Sequence, residues 1–108
     1  MTQSSGDRQN GKILVKADPD IADLIPDFLE NRRKDITVML DALEHSNFET
    51  IRVLAHSMKG AGGGYGFDAI TEIGRDLEQA AKSKNAEEIG KHISALSSYL
   101  DRVEVIYE

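Results

Sequence analysis

From Ile21 onward, apolar residues recur at the spacing of one helix face: Ile21, Leu24, Ile25, Phe28, Leu29, Ile36, Met39, Leu40 and Leu43. A period near 3.6 residues is the signature of an amphipathic helix. Asp18-Pro19 supplies a start, with Asp as N-cap and Pro at the first helical position, where its missing N–H costs nothing. Pro26 interrupts the series, and an interior proline costs roughly 3 kcal/mol. The spacing therefore predicts a short helix near 19–25 and a long one near 27–45, or one kinked helix. Ser46-Asn47 offers the next N-cap, followed by a stripe of Phe48, Ile51, Leu54, Ala55, Met58, Ala61 and Gly62. This second long helix is expected to fray among Gly60, Gly62, Gly63, Gly64 and Gly66, each costing up to ~1 kcal/mol relative to Ala. A third helix carries Ile70, Ile73, Leu77 and Ala80 or Ala81. Asn85 caps a fourth, with Glu88 in capping-box position, and its stripe runs through Ala86, Ile89, Ile93, Leu96, Leu100, Val103 and Tyr107.

No segment alternates with period two for long enough to predict a strand, and Ile13 to Val15 reads as a short packed arm. Four amphipathic helices joined by short connections imply antiparallel neighbours. The expected fold is all-α, an up-down four-helix bundle with a short additional N-terminal helix or kink. Residues 1–12 (MTQSSGDRQNGK) hold nothing to bury and read as a disordered leader, so the bundle is expected over 13–108.

The chain has 108 residues, one domain's worth, with 40% hydrophobic and 30% charged residues. No apolar run approaches the ~18 residues of a membrane span, and the N-terminus lacks the apolar core of a signal peptide. The absence of cysteine excludes disulfides, thiolate metal sites and thiol nucleophiles. A net charge of −6 argues against a surface built to clamp nucleic acid. The expectation is a cytoplasmic monomer with neither a membrane nor a nucleic-acid partner.

Three histidines are candidates for chemistry. His45 falls in the last turn of its helix, where a cation is favoured by the helix dipole. His92 lies at the edge of an apolar stripe and reads as a packed, hydrogen-bonded side chain. His56 differs. At 100° per residue it lies about 140° from Ile51, nearly opposite the apolar stripe. Arg52 stands one turn before it, Lys59 three residues after, and Gly60 and Gly63 clear one side. Glycines on an exposed helix face are unfavourable by propensity, and they make sense where another molecule's backbone comes close. Imidazole offers a nucleophilic ring nitrogen near neutral pH, and flanking cations would neutralise a phosphoryl group placed on it. This is the layout of a phosphoryl carrier, since phosphoryl transfer needs positioning and charge neutralisation above all.

The segment Ala55-His56-Ser57-Met58-Lys59-Gly60-Ala61-Gly62-Gly63-Gly64-Tyr65-Gly66-Phe67 resembles the core motif of histidine-containing phosphotransfer (HPt) domains, roughly His-x-x-Lys-Gly followed by a later Gly and an apolar residue. Leu77-Glu78-Gln79-Ala80-Ala81-Lys82 is similar to the family's Leu-Glu-x-x-Ala segment, and the likeness spans about 18 to 107. The resemblance implies that His56 is the phosphorylated residue and Lys59 stabilises the phosphoryl group. It also implies that Gly60 admits the partner, that Gly66 marks the turn out of the helix, and that Glu78 orients the imidazole. Arg52 and Gly63 join Gly60 as candidate docking positions. The run Gly62-Gly63-Gly64 is richer in glycine than the family pattern.

The implied partners are response-regulator receiver domains and a histidine kinase, and the implied role is a phosphorelay carrier without turnover of its own. No cofactor or metal site is expected on this chain, the Mg²⁺ belonging to the receiver. Ile21 and Leu24 are candidate apolar docking residues. A competing reading within the same fold is a non-transferring receiver-binding helical module, against which His56, Lys59 and Gly60 stand intact. Another is a domain of a larger kinase; the leader and the end soon after the fourth helix favour a free-standing carrier. A nucleotide-binding loop over Gly60 to Gly66 fails because such loops follow a strand and end in Lys-Ser/Thr. Metal-dependent hydrolysis fails because His56 has no second ligand at i+3 or i+4, and a purely structural bundle is the remaining alternative.

Overall fold

A computed structural model describes residues 11–108; the expected leader lies almost wholly outside them. The described chain runs β1 (Ile13–Ala17), a 3-10 turn (Pro19–Ile21), α1 (Ile25–Glu44), α2 (Phe48–Gly64), α3 (Asp68–Lys82), α4 (Ala86–Arg102) and β2 (Val103–Tyr107). Helix α1 packs against α2 and α4, and α3 also packs against α2 and α4. This is the ring of neighbours that an up-down four-helix bundle requires. Met39, Ile51, Ala55, Met58, Ile70, Leu77, Ile89 and Leu96 fill the centre, each 1% exposed or less.

Local signals explain most boundaries. The Asp18 side chain accepts from the Asp20 N–H and Pro19 opens the turn, though this start leads only into a 3-10 turn. Pro26 sits in the first turn of α1, where no hydrogen bond is lost, so α1 is one helix. All three connections between helices close in the same way. Asn47 N–H donates to Ala42 O at 2.8 Å, Phe67 N–H to Gly62 O at 2.8 Å, and Asn85 N–H to Ala80 O at 3.0 Å. The residue before each donor has positive φ: Ser46 at 55°, Gly66 at 88° and Lys84 at 54°. These are Schellman closures. The two asparagines then cap the next helix, accepting from Thr50 N–H and Glu88 N–H. Only half of the expected capping box forms at Asn85, because the Glu88 carboxylate turns to Lys91 and His92 instead.

Two expectations are corrected. Helix α2 does not fray at its glycines but continues to Gly64. A Cβ on Gly62 would meet Thr71 Oγ1 at 2.7 Å and Thr71 N at 2.8 Å, so the glycine lets α3 close on α2, and that packing offsets the propensity cost. The fourth helical stripe does not reach Tyr107. It ends at Arg102, and Val103 turns extended at ψ 134°. The β-branched run Val103, Val105, Ile106 favours a strand, and it pairs in parallel with β1 from Ile13↔Val103 to Ala17↔Tyr107. The packed arm is thus a strand, too short for period two to show. Arg33 holds the corner, donating to Leu100 O at 2.8 Å and to Asp101 Oδ1 at 3.0 Å.

Candidate functional site

His56 lies midway along α2 with its side chain 65% exposed, and its Nδ1 stands 3.0 Å from Glu78 Oε2. Glu78 comes from α3, and its side chain is only 9% exposed. The other carboxylate oxygen, Oε1, accepts from Lys59 Nζ at 2.8 Å, and Lys82 Nζ lies 4.0 Å from Oε2. One buried carboxylate therefore joins the histidine and the lysine of α2.

The hydrogen bond from Lys59 is the main reason the Glu78 carboxyl is held down at about 2, with burial opposing and His56 contributing further. At neutral pH Glu78 is an acceptor only. The His56 Nδ1 must then carry the proton of their hydrogen bond. In the neutral imidazole this leaves the lone pair on Nε2.

The approach of α3 to α2 makes this reach possible. A Cβ on Gly74 would stand 2.8 Å from Lys59 N and 3.0 Å from both Ala55 O and Lys59 Cα. Those are backbone atoms beside His56 itself. Thr71, one turn before Gly74, donates its hydroxyl to Lys59 O at 3.2 Å. Thr71, Gly74 and Glu78 thus form the strip of α3 that faces the site. Sequence reading missed Gly74. An interior glycine four residues before Glu78 is a signal of a kind, but Gly90 in α4 has the same appearance and nothing within 4 Å of its would-be Cβ.

The other expected residues fall as follows. Gly60 faces open space, with nothing within 4 Å of a Cβ position, and Gly63 is exposed with only Thr71 Oγ1 at 3.6 Å. Arg52 is not free beside His56 but is held by Glu49, with Nε donating to Oε1 at 3.0 Å. Lys59 is not a simple solvent-facing charge either, since two-thirds of its side chain is covered and it serves Glu78. Val53, three residues before His56, is 50% exposed and was not anticipated. Leu24 is exposed and Ile21 half-buried. His45 closes α1 with Nδ1 donating to Asp41 O at 2.8 Å. His92 is half-buried and meets Glu88 at 3.5 Å. Asp41, Glu44 and His45 gather possible ligand atoms within 4.8 Å of one another, all exposed. Among the described residues no helix is long and apolar enough to cross a membrane.

The bundle thus carries one carboxylate-bound imidazole on the outside of a helix. The chain belongs to the Hpt domain family, which it matches over residues 23–105, and so to the proteins of histidine-containing phosphotransfer in two-component phosphorelays. Strand β1 lies outside the matched span. No curated protein and no solved structure matches the chain.

Proposed function

We propose that this chain is a phosphorelay carrier: His56 accepts a phosphoryl group from a receiver-domain aspartyl phosphate, or from a histidine kinase, and passes it to a response-regulator aspartate. The observation that carries the reading is the shared carboxylate of Glu78, bonded to both His56 Nδ1 and Lys59 Nζ. It fixes the imidazole with Nε2 turned outward as a nucleophile.

In the step itself the Nε2 lone pair attacks phosphorus in line. The P–N bond forms, the P–O bond to the aspartate breaks, and the aspartate leaves as a carboxylate. The ring then holds phosphorus on Nε2 and a proton on Nδ1, so positive charge develops on it. Glu78, already ionised, stabilises that charge without itself taking the proton, as the buried carboxylate of a catalytic triad does. Lys59, three residues along the same face, neutralises the phosphoryl oxygens. Gly60 leaves the approach open. The receiver brings its own Mg²⁺ and acidic pocket, so the carrier supplies no metal ligand. In this role it acts as a monomer in the cytoplasm and has no turnover of its own.

The test is to mix the chain with phosphorylated receiver domains from the same genome and map the label at neutral or alkaline pH, because phosphoramidates are acid-labile. Label on His56, lost in His56→Gln, is the expected result. Label retained in that variant would remove the assignment. Tight receiver binding with no label on the wild-type chain would favour the non-transferring module instead.

A further inference from the structure

His56 stands on a ridge whose two flanks differ in kind. At 100° per residue, Val53, Gly60 and Gly64 lie about 40–80° to one side of it along α2, away from α3. Val53 is half exposed, and nothing lies within 4 Å of a would-be Cβ on Gly60 or Gly64. Apart from Ser57 at its far edge, this flank is apolar and bare. On the other side stand Arg52 and Lys59, and the edge of α3 continues the charge. Arg75 is three residues before Glu78, Lys82 is four after, and both lie within about 60° of it around α3, on its solvent side. Lys84 follows just past the helix end. Arg52, Lys82 and Lys84 line one groove between the start of α2 and the end of α3.

Some of these cations have a carboxylate partner: Arg52 meets Glu49, and Lys59 and Lys82 both meet Glu78. Arg75 and Lys84 are exposed and make no hydrogen bond or ion pair among the described residues. Glu72 and Asp76 lie further round α3, so the positive strip is narrow and borders the site. In a chain of net charge −6 it places two unpaired cations, Arg75 and Lys84, along the helix edge that carries Glu78.

We propose that these two flanks dock and orient the receiver domain, an acidic margin of the receiver lying along Arg75, Lys82 and Lys84 and an apolar margin lying over Val53, Gly60 and Gly64. The proposal rests on the phosphotransfer reading above. Charge complementarity favours this partner, because a domain that holds Mg²⁺ with carboxylates and delivers a phosphoryl group presents negative charge at the point of contact. Reach is sufficient. A standard interface covers roughly 800 Å² on each partner, a disc of about 16 Å radius, and Lys84 is only about 9 Å along α3 from Glu78. The cationic flank governs encounter rate and orientation, while the bare flank admits close apolar contact.

Arg75→Glu and Lys84→Glu test this, since neither side chain holds another group in place. Each variant, and the pair, is labelled from a phosphorylated receiver that transfers to the wild-type chain, and the second-order rate is measured across NaCl concentrations. The expected result is a loss of about tenfold for the pair at low salt. The loss should shrink towards nothing near 1 M, where the screening length falls to about 3 Å. Transfer at saturating receiver should be unchanged. Val53→Ser should weaken docking by an amount that salt does not alter. Direct labelling of His56 by potassium phosphoramidate, which needs no docking, should be equal in all variants. Equal receiver rates at low salt, or a loss independent of salt, would overturn the proposal while leaving His56 as the carrier. A wild-type chain that neither receivers nor phosphoramidate label at His56 would instead overturn the phosphotransfer reading and the docking proposal with it.

Discussion

Gly74→Ala adds one methyl group at the point where α3 rests on α2, and the structure fixes what that methyl meets. Its nearest neighbours would be Lys59 N at 2.8 Å, Ala55 O at 3.0 Å and Lys59 Cα at 3.0 Å. All are helix backbone, so no side chain can swing aside and the helices themselves must part. Reaching the 3.4 Å of ordinary contact takes a retreat of about 0.6 Å from the closest atom. Overpacking of this kind costs about 1–3 kcal/mol, and removing a helical glycine returns about 0.4–1 kcal/mol. At the middle of those ranges the net loss is roughly 1.3 kcal/mol, a fall in Tm of roughly 5–10 °C for a domain of this size. Glu78 lies one turn further along the same strip, so the same retreat lengthens its bonds to His56 and Lys59, now 3.0 and 2.8 Å. Thermal and urea melts followed by circular dichroism measure the first effect. Long-range ¹H–¹⁵N spectra of the His56 ring measure the second, as a loss of the protonated-Nδ1 tautomer. Gly60→Ala is the control, since its new methyl meets nothing and should raise stability by up to ~1 kcal/mol. A Gly74→Ala protein as stable as wild type, with the His56 tautomer unchanged, would refute the reasoning.

Three further outcomes follow from the same contacts. Lys59→Ala should slow transfer and also lower Tm, because it leaves the buried Glu78 carboxylate without its 2.8 Å partner; unchanged melting would show that Glu78 does not depend on Lys59. Glu78 is depressed in the folded chain to about 2 from an ordinary 4.5, so its contribution is present above pH 4.5 and is lost as the pH falls towards 2. Glu78→Gln should therefore flatten the acid limb of stability in that window and nowhere above it, as read from urea midpoints against pH. Gly60→Gln should leave the melting temperature equal or higher while reducing transfer from a receiver sharply. Transfer at the wild-type rate would remove the steric role of Gly60, and unfolding would contradict its open surroundings.

The helices were legible because their signals are local. Asn47, Asn85 and Pro19 sit where a chain entering a helix or helical turn needs them, and the apolar stripes survive any small error at the ends. What escaped was decided by partners distant in sequence. Val103 to Tyr107 continues the fourth stripe as well as it fits a strand, and only pairing with Ile13–Ala17, some ninety residues away, resolves the choice. Propensity read the glycines of α2 as a weak helix end, yet Gly62 is there because Thr71 presses against it.

The same division holds at the site. Periodicity alone turns His56 away from the core, and the exposed histidine beside an open Gly60 agrees with it. Periodicity also made Lys59 a free surface charge, which it is not. Which residues Glu78 touches depends on how closely α3 approaches α2, and no spacing within either helix encodes that distance. It is set by the missing side chain of Gly74 and the hydroxyl of Thr71, both bearing on the backbone of Lys59. Only Glu78 among the α3 residues facing the site was legible beforehand, through family resemblance and not through periodicity. The chemistry of His56 thus belongs to one helix and its orientation to another, which is why a substitution at Gly74, which bears on the helix backbone beside His56, is the most direct probe of the arrangement.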